Sequence, residues 1–576
     1  MLRYLLAAIA SLTLSATAAA QTPDLVIDIT GISGAPLDNV RNSLTLNLQR
    51  DHPLLTEAVV ERLHRNAPDE IRGALEPFGY YRPRIDTALE FDDKRWRARY
   101  RIDPGPPLPV DDVSVSIQGE GADDPSLRAW REEFPIQRGQ TLDHATWERA
   151  KQSLHQLANE RGYFDGRMLT HRVSVDLDEY SATVELEYST GRRYAFGPVD
   201  IEHEKLDAGF LRRFITFRPG DPYEGRRLLD LRRSLADSDY FARADVLSLT
   251  EQAENYRVPI HVDLETRPDN RYSAGLGYAT DTGARLRLGY ERRRANRQGH
   301  RYSAGFEQSE IETSFNARYN IPLSRPTSDV LSYSLSWSDE DTSTVERTTT
   351  SLGVEITQQV GAWLRAVGIS FEQERYRVDI DNDAILLIPH VTWQRYRAAQ
   401  RIAPSHGWIF TIGVRGAYEQ VISDTSFVQP RAEAKYIFSP SSKSRVLVRA
   451  SGGFSWVPEF NELPLSQRFF AGGDQSIRGF AFESLGPRNA EGRVIGGRHL
   501  AVGSIEYEYS IGTRTALATF FDAGNAFDGD DLRAEQGAGV GLRLRTPIGA
   551  IRLDIAQALS LPGRPWRLHL TLGPDL

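Results

Sequence analysis

Residues 539–556 read GVGLRLRTPIGAIRLDIA. Two runs alternate on either side of a turn, Thr546-Pro547-Ile548-Gly549. In the first run, Val540, Leu542 and Leu544 oppose Arg543 and Arg545; in the second, Ile551, Leu553 and Ile555 oppose Arg552 and Asp554. A period of two belongs to a β-strand, whose successive side chains leave opposite faces. Aliphatics on one face and charges on the other leave two readings open. A soluble sandwich would bury the aliphatic face, whereas a closed barrel would turn it to lipid and keep a polar interior.

The same grammar extends in both directions. In SIEYEYS (504–510), Ile505, Tyr507 and Tyr509 oppose Glu506 and Glu508; in WRLHLTL (566–572), Leu568, Leu570 and Leu572 oppose Arg567, His569 and Thr571. Upstream, RYSAGLGYAT, DVLSYSLSWS and RVLVRASGGFSW continue it back to Arg271. About sixteen such segments reach the length of a tilted membrane strand. An even count returns the chain to the side on which it entered. Short turns are expected at Gln358-Gln359, at Ser439-Pro440-Ser441-Ser442, at Ile511-Gly512-Thr513 and at the 546–549 turn.

Composition bounds the choice without making it. Hydrophobic residues are 40% and charged residues 26%, and the mean hydropathy is -0.43; both a soluble protein and an outer-membrane barrel have such values. The N-terminus decides. Met1-Leu2-Arg3, an apolar run from Tyr4 to Leu14 and Ala18-Ala19-Ala20 read as a secretory signal peptide over residues 1–20, too short for a membrane anchor. No later stretch has the apolar length of a spanning helix. Export together with a long series of alternating strands favours the membrane barrel. There is no cysteine, which excludes disulfides and thiolate metal sites, and the net charge of -9 argues against nucleic-acid binding.

Before Arg271 the pattern mixes helix and strand. Three segments share one plan: a strand, two helices, then a hairpin. Their common mark is a turn closing the second helix: Phe78-Gly79-Tyr80-Tyr81, Arg161-Gly162-Tyr163-Phe164 and Ser238-Asp239-Tyr240-Phe241. The spacing of about 80 residues makes them tandem small domains rather than solenoid repeats. Glycine suits a left-handed helix cap, and Asp239 approximates it. The expected boundaries are 24–106, 107–192 and 193–268, followed by a barrel over 270–576.

One loop, over 458–497, has no strand pattern. At about 40 residues it is long enough to suggest a function of its own. It contains FFAGGDQSIRGF (469–480), in which glycines at 472, 473 and 479 allow sharp turns and Phe469, Phe470 and Phe480 argue for packing. Folded back into the lumen, Arg478 needs an anion. Asp522 is the lone charge of its strand and shares a face with Ala516, Ala518 and Phe520, which leaves room for an incoming loop. Arg478 is therefore expected on Asp522, assisted by Glu506 or Glu508 on the strand between.

These residues carry a resemblance. Ile477-Arg478-Gly479-Phe480 and Phe520-Phe521-Asp522-Ala523-Gly524 resemble the paired loop and wall motifs of the Omp85 superfamily, and GVGLRLRTPIGAIRLDIA resembles its closing strands. The resemblance implies tandem POTRA domains of α+β fold followed by an all-β 16-stranded transmembrane barrel in a bacterial outer membrane, with the POTRA domains in the periplasm. It implies a loop-to-wall lock of Arg478, Gly479, Phe480, Asp522 and Gly524. Three POTRA-like units and the ending LGPDL look most like the TamA branch, the translocation and assembly module. That branch implies an inner-membrane-anchored TamB-like partner, β-barrel clients such as autotransporters, and contact with the bilayer and lipopolysaccharide. BamA-like and two-partner-secretion-type transporters are the alternatives.

A closed barrel must join its first and last strands. Gly275 and Gly277 beside Tyr272 weaken the first strand, and Gly573-Pro574 interrupts the last after Leu568, Leu570 and Leu572. These residues are expected to form a loose lateral seam, where a client strand could add to an open edge. No Gly-x-Ser-x-Gly, HExxH or P-loop pattern occurs. The acids of FDAGNAFDGDD miss the calcium-loop spacing and read as a solvated hairpin turn. His569 reads as a polar lining residue. No enzyme, cofactor or metal is expected.

Overall fold

The computed structural model describes residues 24–573, apart from 53–54, 93–94, 281, 343–345, 378–380, 399–403, 530–531 and 547–548. The signal-peptide reading and Pro574 lie outside the described residues. By packing, the chain divides into two compact units. One holds most of residues 24–260; the other holds the strands from residue 261 onward together with 199–216 and 229–247.

The first small domain runs β1 (Asp24–Thr30), helices Ala35–Ser43, Thr45–Leu48 and Glu57–Leu75, then β2 (Arg84–Asp92) and β3 (Arg95–Asp103). The hairpin is antiparallel, and β1 adds to β3 in parallel. The second repeats the plan: β4 (Val110–Gln118), helices Pro125–Glu132 and His144–Glu160, β5 (Arg167–Asp176) and β6 (Ser181–Ser189), again with the opening strand parallel to the last. The third consists of β7 (Ala195–Ile201), β8 (Phe241–Ser248) and β9 (Arg257–Thr266), in sheet order β7-β9-β8, with helix Gly225–Asp237.

The second domain illustrates the local logic. Asp143 starts helix 144–160 by accepting the backbone N–H groups of Ala145 and Thr146 at 2.8 and 3.3 Å, two donors a helix start cannot satisfy internally. Trp147, Ala150, Leu154 and Ala158 recur at helical spacing and are buried in a cluster with Ala182, Val184, Leu186 and Tyr188 of β6. The closing turns all take positive φ: 83° at Gly79, 87° at Gly162 and 61° at Asp239.

From β10 (Asn270–Ala279) onward the chain forms one sixteen-stranded sheet in strictly sequential order. Its other strands are β11 (Gly283–Arg292), β12 (Arg301–Gln308), β13 (Glu312–Pro322), β14 (Val330–Asp341), β15 (Glu346–Val360), β16 (Trp363–Arg377), β17 (Asp381–Ala398), β18 (Gly407–Ala417), β19 (Phe427–Ser441), β20 (Ser444–Phe454), β21 (His499–Ser510), β22 (Thr515–Phe527), β23 (Glu535–Thr546), β24 (Gly549–Ala558) and β25 (Trp566–Gly573). Every neighbouring pair is antiparallel. The two end strands, β10 and β25, flank one another without a ladder between them among the described residues, so the barrel is nearly closed.

Alternation sorts the faces. On β21, Ile505 and Tyr507 are 52% and 41% exposed, while Glu506 and Glu508 are 6% and 1% exposed. The aliphatic face is thus the outer one and the charges line the interior, opposite to a soluble sandwich. Two turn expectations require correction. Gln358 and Gln359 lie inside β15, paired with Arg365 and Leu364, and the chain reverses at Gly361, where φ is 59°. Glutamine breaks no strand, whereas glycine supplies the backbone a tight reversal needs. Likewise Ser439, Pro440 and Ser441 belong to β19, with an irregular register between Phe438 and Ser441. Proline interrupts the ladder there without ending the strand.

Candidate functional site: the inward loop and its anchor

The segment 455–498 between β20 and β21 packs against the inner wall through apolar side chains. Phe469, Ala471, Ile477, Phe480 and Leu485 form one buried cluster with Ala526 and Ala558. Phe460 and Leu463 join Leu386, Ile388 and Phe427 in another, and Leu465 meets Tyr376 and Ala384. Apolar burial therefore brings the loop inward, and a specific polar site fixes its position.

Arg478 is 3% exposed and Asp522 is fully buried. The guanidinium is bidentate on Asp522: Nε donates to Oδ2 at 2.7 Å and Nη2 to Oδ1 at 2.9 Å. The backbone N–H of Arg478 also donates to Oδ2, at 3.0 Å. Nη1 donates to Glu506 at 2.6 Å and to Asp554 at 3.2 Å. The Phe520 ring lies 3.4 Å below the guanidinium carbon. The planar, delocalised guanidinium suits stacking and forked donation together, which an ammonium cannot do.

A second cation completes the cluster. Arg543 donates from Nε to Glu506 at 2.9 Å and from Nη1 to Asp554, and Arg449 approaches Asp522 to 3.9 Å while donating to the Gln475 carbonyl at 3.0 Å. Three acids from β21, β22 and β24 thus meet three arginines, one of them on the loop. Such a set holds only as a set, because removing one partner leaves an uncompensated buried charge, a loss of about 3–5 kcal/mol.

Glu508 has a different role from the one expected. It pairs with Arg445 at 2.7 Å, lies 3.5 Å from Arg545, and reaches the cluster through Arg543, at 3.7 Å, rather than through Arg478. It points inward like Glu506, but two residues along β21 from it, which places it at another height of the wall. Asp554 and Arg543 were assigned to the inner face by sequence but not to this cluster.

Close backbone approach completes the anchor. Gly479 has φ 98°, and a Cβ there would sit 2.9 Å from the Ala558 nitrogen. A Cβ at Gly537 would strike the Arg478 carbonyl oxygen, and one at Gly524, φ 149°, the Ala501 carbonyl oxygen. Phe480 is buried beside them. His569 on β25 does more than line the lumen. Its Nε2 accepts the Gly479 N–H at 2.9 Å, so the Nδ1 side carries the proton and donates to Asp474. The loop is thereby bonded to the last strand as well as to the wall. Its partner is a backbone group, which no side-chain motif announces.

The seam residues lie together at one edge. Gly275, Leu276, Gly277 and Tyr278 of β10 and Thr571 and Leu572 of β25 line a cavity of about 510 Å³ with Phe470, Asp474 and Glu483 of the loop. Tyr272, Leu568 and Leu572 are exposed on the outer face, and Leu570 is half-buried. Gly573 closes β25. No helix of the described residues is long and apolar enough to cross a membrane, and no group of three or more potential metal ligands occurs among them.

Residues 296–565 match the Omp85 superfamily domain, and residues 26–104 match the POTRA domain described as TamA domain 1. Residues 114–189 match a POTRA family described as a surface antigen variable number repeat. The chain carries an Omp85 superfamily domain preceded by POTRA domains. It is 24% identical over 370 residues to the outer membrane protein assembly factor BamA of Nitratidesulfovibrio vulgaris, covering 61% of this chain and 46% of that one. It thus spans about half the length of that curated relative. Among solved structures, BamA from Haemophilus ducreyi lacking POTRA domains 1–3 shares the fold, with a TM-score of 0.67 at 16% identity over 80% of this chain and 98% of that one. CdiB from Acinetobacter baumannii has a TM-score of 0.48 at 14% identity over 80% of this chain and 89% of that one. The protein resides in the outer membrane, with its POTRA domains in the periplasm.

Proposed function

We propose that this protein inserts β-barrel clients into the outer membrane by templating their strands at the seam between β10 and β25. The observation that carries the reading is the pair of end strands that flank each other without a ladder. Backbone groups left unpaired in lipid are costly, and a client strand would satisfy them by adding to the edge. Tyr272, Gly275 and Gly277 on one side and Leu568, Leu570, Leu572 and Gly573 on the other are the residues assigned to that edge. Arg478, Gly479, Phe480, Asp522, Gly524 and Glu506 form the lock that keeps the loop in place, with Glu508 bracing the wall beside it.

The match of residues 26–104 to a TamA-type POTRA domain supports placing the protein in the TamA branch. On that placement its clients are autotransporter-like barrels, its partner is a TamB-like inner-membrane-anchored protein, and its surroundings are the bilayer and lipopolysaccharide. A second reading, passage of an unfolded chain through the lumen, requires the loop to leave. A cysteine pair joining Ala274 to Leu570 tests the two. Under the seam model the oxidised protein in liposomes stops inserting barrel clients and recovers on reduction. Undiminished insertion through a shut seam, or export of a soluble client with rising conductance, would favour the pore.

A further inference from the structure

Away from the anchor, two arginines of the barrel wall lack a carboxylate. Arg415 stands on β18 and Arg431 on β19; across the ladder Arg415 pairs with Gln429, two residues before Arg431. Ile412, Val414 and Val428 are the exposed side of these strands, so alternation turns Arg415, Gln429 and Arg431 to the lumen. Nε of each arginine donates to the same oxygen, Oε1 of Gln429, at 2.8 Å. That oxygen is fixed in place, because the amide nitrogen of Gln429 donates to Ser455 Oγ and to the Gln467 carbonyl, both at 2.7 Å.

The remaining guanidinium nitrogens are differently placed from those of the anchor. Arg478 reaches a carboxylate at 2.6 Å and Arg445 at 2.7 Å, whereas among the described residues neither Arg415 nor Arg431 comes within 4.0 Å of one. Nη2 of Arg415 is buried with no acceptor among the described residues. The Phe469 ring covers one face of Arg431, 4.7 Å from the guanidinium carbon. Both arginines line a cavity of about 360 Å³ with Ser370, Thr392, Thr411, His390, Glu372 and Glu433. Glu372 is already engaged, accepting from Gln467 at 2.9 Å and from Ser370 at 3.2 Å, and His390 faces Glu355 at 3.2 Å.

We propose that this cavity binds a soluble oxyanion, a phosphate or carboxylate group held between the guanidiniums of Arg415 and Arg431. Guanidinium N–H groups withdrawn from water need charged acceptors, and their fork matches two oxygens of one anion. The hydroxyls of Thr392 and Thr411 are further donors on the same wall. Because alternation turns Arg415, Gln429 and Arg431 to the lumen, the ligand is expected to arrive from water and not from the lipid face.

The test uses the full chain in phosphate-free detergent solution, titrated calorimetrically with inorganic phosphate and separately with citrate. The folded wild type should bind at least one anion saturably, and Arg415→Gln and Arg431→Gln should each weaken binding tenfold or more. Thr411→Val, which keeps every charge, should weaken it severalfold and carries the test if the arginine variants do not fold. Heat-modifiable gel migration identifies folded barrels. Binding of one anion alone supports the site and names its preferred group. Absence of saturable binding to folded wild type, or unchanged binding in folded Arg415→Gln or Thr411→Val, overturns it. Repeating the titration in nanodiscs separates a lipid source: equal affinity in anionic and zwitterionic lipid supports entry from the lumen, and competition by anionic lipid overturns it.

Discussion

The second POTRA domain and the barrel interior solve one packing problem with opposite materials. In the domain, Trp147, Leu154, Val184 and Tyr188 close over one another in a cluster that contains no charge, and the buried Asp124 is paired with Arg161 at 3.1 Å. In the barrel most aliphatics are committed to the outer face; Leu386, Ile388 and Phe427 give the inner wall an apolar patch, but much of that wall is charged or polar. Apolar loop residues supply contact area there, but position comes from Arg478 and its three acids. Stabilisation by area is forgiving of small shifts, whereas a forked ion cluster is not. A loop that must sit at one place, yet belongs to no sheet, is held by the less forgiving means.

The sharpest way to break this contrast is to remove the central cation. Arg478→Ala should destabilise the seated loop by about 3–5 kcal/mol, read as new protease cleavage within 455–498 and a lower urea midpoint of the folded barrel. Asp522→Ala should cost a similar amount. The double variant should cost clearly less than the sum, since the two act as one unit. Additive losses would mean that the cluster is merely decorative. Arg478→Lys should recover only part of the loss, because an ammonium cannot fork.

On the domain side, Leu154→Ala should cost about 2–5 kcal/mol, seen as faster hydrogen exchange in helix 144–160, while loop protection stays unchanged. Gly479→Ala comes next. At φ 98° and with the Ala558 nitrogen so close, a methyl should cost about 1–3 kcal/mol and raise cleavage of the loop without touching any charge.

The smallest effect is a pH dependence. His64 is half-buried against Tyr100, with Nδ1 2.9 Å from the hydroxyl, and burial lowers its pKa below the ordinary 6.5. A histidine depressed in the folded state binds its proton more readily when unfolded, so stability held above pH 6.5 falls as pH drops through that value. Helix 57–75 should therefore show lower protection factors, with intrinsic exchange rates divided out, at pH 5.5 than at pH 7.5, and His64→Gln should flatten the difference. An unchanged slope in that variant would assign the dependence elsewhere.

Much of this organisation is legible in the chain because period two survives in most barrel strands, although β17 runs apolar from Ala384 to Pro389. Face assignment is local, so Ile505, Glu506 and Tyr507 declare their sides without any partner. Asp522 stood out because it is the lone charge of its strand, beside Ala516, Ala518 and Phe520 on the same face. Asp554 and Arg543 could not be singled out in this way. Their strands carry several inward charges, and alternation gives the face but not the height at which strands meet. Glu506 and Glu508 could not be told apart for the same reason, being one pleat from each other on the same face. Gln358-Gln359 failed because polarity is a weaker turn signal than a glycine with positive φ. The bond from Gly479 to His569 left no trace, since half of it is main chain.

That last bond has a consequence for assembly. β25 has a ladder on one side only, so its alignment along β24 lacks the second neighbour that disciplines every interior strand. A slip by one residue would swing His569 to the lipid side and carry a leucine inward, and both the Gly479 and Asp474 bonds would vanish together. The histidine therefore works as a ruler mark for the terminal strand: a correctly threaded C-terminus is one in which the mark meets the lid.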